Sequence, residues 1–214
     1  MLVRRQKAIE NFGEPTTARS NLIVLYTLGF CVTGIMVPSF YMQHIQPLEW
    51  FMIPFTFFIS NLVEYGLHRW PMHKRYKYTG FILRNHMIHH NYFDENEYTI
   101  KQYPDFVFAV FPAIVLNILT VFIVLPMAHL FFLIAGNNAA LLFIASVMAY
   151  YLLMEFIHTA AHTDENHWVN AFPGMKYLRR HHYIHHHHDE MTRANYNFII
   201  PVADWIFGTH KMEL

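Results

Sequence analysis

The sequence predicts an all-α integral membrane protein: four transmembrane helices with a cytosolic helical cap that holds a polyhistidine metal site. Three observations predict it. Four long apolar stretches alternate with polar segments. All 15 Lys and Arg fall in only three of those segments. Ten of the 17 histidines form four clusters at metal-ligand spacing.

Composition narrows the class first. With 214 residues, 54% of them hydrophobic, 14% charged and a net charge of zero, the chain suits one domain and neither a disordered segment nor a nucleic-acid binder. Its single cysteine, Cys31, excludes an intramolecular disulfide and a Cys-based zinc site, and its apolar surroundings make it a small buried residue.

Residues 1–20 form a polar leader on the cytosolic side, and residues 21–214 form a single membrane domain without internal repeat or linker. Residues 22–42 run without a charge for about the length that crosses a bilayer. The run is too long for a signal peptide, and no small-residue cleavage site follows. Residues 50–67 form a second apolar stretch whose one charge is Glu64, one turn before His68 and on its face. Glu64 is read either as an interfacial residue at a helix end or as the acceptor that orients His68.

Trp70-Pro71 breaks that helix. In an unbroken helix His68 and His73 would sit about 140° apart, whereas a bend at Pro71 turns His73 back towards His68. Residues 106–135 are uncharged but interrupted by Pro112 and Pro126, so they make one kinked span or a span plus an interfacial segment. After the Gly136-Asn137-Asn138 turn, residues 139–154 cover only about 24 Å, and the helix is expected to continue and carry His158 and His162.

Charge sets the topology. Four Lys or Arg precede residue 20, six lie between 69 and 101, and five follow 175, while the links 43–49 and 136–138 have none. The positive-inside rule then places both termini, the middle loop and every patterned histidine in the cytoplasm, on a bacterial inner membrane or the endoplasmic reticulum.

The clusters are His68 and His73; His86, His89 and His90; His158 and His162; and His182, His185 and His186. On a helix the last three fall within an arc of about 100°, while His187 and His188 turn away. Imidazole binds Zn, Cu, Fe and Ni, so ligand type alone names no metal. Ten nitrogens overshoot one tetrahedral zinc and suit two metals at five each, or fewer if some imidazoles only support others. His44, His129, His167, His187, His188 and His210 fit no pattern. Tyr76, Tyr78, Phe81, Tyr92, Phe93 and Trp168 read as interfacial anchors.

In the order HRWPMH, HMIHH, HTAAH, HHYIHH, the sequence resembles the fatty acid hydroxylase superfamily of histidine-rich dimetal oxygenases, and within it the fatty acid 2-hydroxylase branch. The similarity runs from about residue 61 to residue 210. It includes NLVEYGLHRWPMH and a D-x-x-F-G-T tail at Asp204, Phe207, Gly208 and Thr209, with Ala203 where a Trp is usual. The resemblance implies that all ten patterned histidines are metal ligands, with His181 beside them. It implies two iron ions, with zinc as an occupant of purified protein, and O2-dependent hydroxylation of a fatty acyl lipid. No heme-domain H-P-G-G signature is present, so electrons are expected from a separate electron-donor protein. The terminal KMEL is not a KDEL-type retrieval signal. Competing readings are a carotenoid or sterol-type hydroxylase or desaturase, and a histidine-rich metal transporter. The positions of the histidines at helix ends rather than within spans oppose the transporter.

Overall fold

A computed structural model describes residues 2–214. Among the described residues the regular structure is helical, with no strand. The helices are α1 (Leu2–Phe12), α2 (Thr17–Tyr41), α3 (Met52–Arg69), α4 (Gly80–Tyr92), α5 (Phe106–Ala109), α6 (Ala113–Leu119), α7 (Leu125–Ala135), α8 (Asn137–Ala161), α9 (Met175–His186) and α10 (Val202–Ile206).

Among the described residues, three helical segments are long and apolar enough to cross a membrane: Thr17–Tyr41, Tyr103–Ala135 and Asn137–Ala161. Helix α3 is not among them. Its 18 residues reach about 27 Å, and its last turns carry Glu64, His68 and Arg69. Helix α8 continues past Glu155, so His158 lies on it and His162 follows its last residue. The Pro112 ambiguity resolves into a break: α5 stops at Ala109 and α6 restarts at Ala113. Pro126 is the second residue of α7, after a π-helical turn at Thr120–Val124. There its missing N–H falls in the first turn.

The chain forms two compact units. One comprises Ile23–Ser60 and Pro112–Leu153. Its core packs Val124, Ala128, Phe131, Phe143 and Met148, with Phe55 edge-on to Phe131. Gly34 is required there, because a Cβ would lie 2.6 Å from Met148 Cγ. The two links without Lys or Arg are clasped in this unit: Asn138 donates to the Gln43 carbonyl and to Glu49, and accepts from the Gln43 amide.

The other unit comprises the N-terminal segment through Leu22, Asn61–Phe111 and Met154–Leu214. It contains all ten patterned histidines. Helix α1 packs on α4, with Ala8 buried among Ile88, Tyr92 and Phe108. Arg5 donates to the Tyr92 hydroxyl at 2.7 Å and lies 3.4 Å from the buried Asp105 carboxylate. Tyr92 donates in turn to Asp105. Tyr92 and Phe93 are therefore core residues, not interfacial anchors: Tyr92 stacks on Phe108, and Phe93 stacks on His162. Tyr76, Tyr78, Phe81 and Trp168 are exposed.

Candidate metal centre

Four pieces of chain deliver the histidines. Helix α3 brings His68 to its last turn, and the turn after Arg69 returns His73 beside it, with ring centroids 5.1 Å apart. Helix α4 supplies His86, His89 and His90 from one buried face. The end of α8 supplies His158 and His162. Helix α9 supplies His182, His185 and His186, then stops: His187 already has extended backbone and lies outside the helix. His187 is thus turned away because the helix ends, not because of its angle on it.

The ten rings form two groups of five, with donor nitrogens in each lying within 4.8 Å of one another. One pentad is His68, His73, His86, His90 and His185; the other is His89, His158, His162, His182 and His186. In the first, Nε2 of His86 lies 3.0 Å from those of His68 and His90 and 3.1 Å from that of His73, which is 3.1 Å from His185. In the second, His89 lies 3.1 Å from His186 and 3.2 Å from His158, and His182 lies 3.0 Å from His162. Two nitrogens about 2.1 Å from a shared metal are about 3.0 Å apart at 90° and about 3.4 Å apart at the tetrahedral angle. The spacing fits ligands at right angles around a centre of more than four nitrogens.

Hydrogen bonds fix which nitrogen is bare. A carbonyl oxygen only accepts, so an imidazole bonded to one through Nδ1 carries its proton there. His68 donates to Tyr196, His185 to Ala194, His89 to Phe108, His162 to Tyr98 and His186 to Phe93, at 2.5–2.9 Å. Burial keeps the rings neutral: His73 is pushed down to about 2, and His89 and His185 to about 4. His186 is also held well below its ordinary range by burial, then by His162 and His89. At His89 and His186 both protons are thus on Nδ1, and two unprotonated Nε2 atoms face each other at 3.1 Å. Two lone pairs in that position repel unless a cation lies between them. Metal-bound imidazoles typically carry such an acceptor on the other nitrogen.

Sequence reasoning missed the acceptors. His68 is oriented by the Tyr196 carbonyl, while the buried Glu64 accepts from the Phe198 amide and the Asn197 side chain, holding that same loop. Phe198 lies flat against His68 and 4.6 Å from His158, so one ring touches both pentads. Phe111 does the same between His86 and His158. His181 is buried outside both pentads with Nε2 3.6 Å from Asp204. Burial, then His210 and His185, pushes it down to about 3, so this approach is not an ion pair. His44, His129, His167 and His188 are exposed, and His187 and His210 are half-buried, all outside the pentads.

The sequence profile of the family described as fatty acid hydroxylase matches residues 53–209, a stretch that contains every residue of both pentads. The chain belongs to the fatty acid hydroxylase family. A solved structure described as "Full length scs7p (only hydroxylase domain visible)" superimposes with a TM-score of 0.63 at 21% identity. The match covers 90% of the present chain and 66% of that one, and at this identity the likeness is one of fold. No curated protein sequence matches the chain.

Proposed function

We propose that the protein is a membrane-bound non-heme diiron oxygenase that hydroxylates a C–H bond of a fatty acyl lipid, using O2 and electrons from a separate donor protein. The observation that carries the metal reading is the pair of bare Nε2 atoms of His89 and His186, 3.1 Å apart inside a buried pentad. In this reading all ten histidines are ligands, five to each iron. Residues 21–214 act as one membrane domain, with α3 as a fourth span and both termini cytosolic. Family membership supports iron and O2 chemistry over metal transport, and the positions of the histidines at helix ends support it too.

The irons would supply the activation of O2 and the oxidation of an unactivated C–H bond. The chain's own residues do the rest. Five backbone carbonyls hold the Nδ1 protons and aim Nε2 inward, so those rings are preset before metal arrives. Burial keeps the imidazoles neutral and thus able to ligate at neutral pH. Phe111 and Phe198 pack apolar rings against imidazoles of both pentads, a surface that would suit an alkyl chain better than a polar substrate.

The test is anaerobic reconstitution with ferrous iron in lipid vesicles, followed by 18O2 and dithionite. Mass spectrometry of the acyl chains should show one heavy oxygen per product hydroxyl. Metal flux across the vesicles without oxygen incorporation would overturn this reading in favour of transport.

A further inference from the structure

The carbonyls that orient the histidines come from different loops for the two pentads. His185 and His68 donate to Ala194 and Tyr196, two residues apart in the loop after α9. His186, His162 and His89 donate to Phe93, Tyr98 and Phe108, all between α4 and the start of α6. The carbonyls of residues 194 and 196 therefore orient rings of the His68 pentad alone and those of residues 93–108 rings of the His89 pentad, although the Phe198 ring at the end of the first loop touches both.

The 194–198 loop is not part of a helix or strand, so its shape depends on side chains. Asp204 is the residue it is wrapped around. Its Oδ1 accepts from the Tyr196 amide at 3.0 Å and from the Thr209 hydroxyl at 2.7 Å; its Oδ2 accepts from the Asn197 amide at 2.8 Å. Asp204 is completely buried. Asn197 returns the contact by accepting from the Ala203 and Asp204 amides. The carboxylate thus fixes the peptide units on both sides of Tyr196, and with them the direction of its carbonyl.

We infer that Asp204 is a positioning residue for one metal site alone: it aims the Tyr196 carbonyl at His68 and so governs occupancy of the His68 pentad but not of the His89 pentad. The inference rests on the reading that each pentad holds a metal. Asp204→Asn tests it with almost no change in volume. The amide must turn its NH2 towards either the Asn197 or the Tyr196 N–H, so one acceptor becomes a donor facing a donor. Loss of such a supporting bond typically weakens metal affinity about 10- to 100-fold. A route through His181, 3.6 Å from Asp204 on α9, would act differently. Helix α9 carries ligands of both pentads, so that route would strike both sites.

The experiment compares full-length wild type and Asp204→Asn in detergent, titrated anaerobically with ferrous iron. Iron per chain is measured by elemental analysis, and the occupied site is located by anomalous scattering at the iron edge. The expected result is two irons in wild type and, in the variant at limiting iron, one, lying in the His89 pentad. Occupancy of the His89 pentad reports folding within the same molecule. Thr209→Val, which removes the 2.7 Å bond to Asp204 and a longer one to the Tyr65 hydroxyl while leaving both Asp204 bonds to the loop amides, should give a weaker loss at the same site and decides the matter if Asp204→Asn does not fold. Equal loss at both pentads, or no loss, overturns the inference while the metal reading stands. Wild type that fails to hold two metals overturns both.

Discussion

Acid should unfold the metal-free protein at a pH where carboxylates are still ionised. Burial holds His73 at about 2 in the fold, with His185 and His89 adding to it, and holds His89 and His185 at about 4, against an ordinary value of 6.5. Each folded value lies below the unfolded one, so the unfolded chain takes up protons first. The stability from keeping these rings neutral is therefore complete above pH 6.5 and lost as pH falls towards the folded values. Between pH 7.5 and 5.5 each ring loses about 1.4 kcal/mol, and the three together about 4 kcal/mol. His86, His90, His162, His182 and His186, all lowered mainly by burial, act in the same direction. About 4 kcal/mol is a large part of the 5–15 kcal/mol of a typical domain, and corresponds to roughly 8–16 °C in Tm for a chain of this size. The assay is thermal unfolding of chelator-stripped protein in detergent at pH 7.5 and 5.5, followed by near-UV circular dichroism. A Tm that moves by less than about 2 °C would show that these imidazoles are not buried and neutral, and would refute the reasoning.

Three further outcomes are expected. His186→Ala should remove one metal per chain and abolish product, while His187→Ala, outside the helix and beside Glu95 at 3.7 Å, should leave metal content unchanged; equal losses would mean that the run binds as a flexible tract. Arg5→Met should destabilise the protein by about 1–3 kcal/mol in denaturant titration, because the buried Asp105 loses its guanidinium partner. No change would show that α1 is a detachable leader. Reporter fusions at residue 46 and at the C-terminus should report opposite sides of the membrane, and equal sidedness would contradict the four-span topology.

The sequence made the histidines legible because ligand spacing is a property of side chains at fixed offsets on helices. The break at Pro71 was legible for the same reason: 140° on a helix cannot converge, and a proline stands between His68 and His73. The division into pentads was not legible. His86 and His90 go to one and His89 to the other, although all three lie on α4, and only the surrounding helices decide that. The orienting groups were invisible because they are backbone carbonyls, which every residue has. Glu64 illustrates the limit. Its helical register pointed it towards His68, and it does act on that ring's surroundings, but through the amide of Phe198 in a loop more than a hundred residues away. Tyr92 and Phe93 were misread because an aromatic beside a polar run suits an interface as well as a core; the packing of α1 and α5 against them settles it.

The most direct test of the central claim is the iron content of anaerobically loaded wild type beside single variants in each pentad. Wild type should hold two irons per chain. His86→Ala and His158→Ala should each hold one, located by anomalous scattering in the pentad left intact. One iron in wild type, or loss of both irons from either single variant, would contradict two separate five-histidine sites.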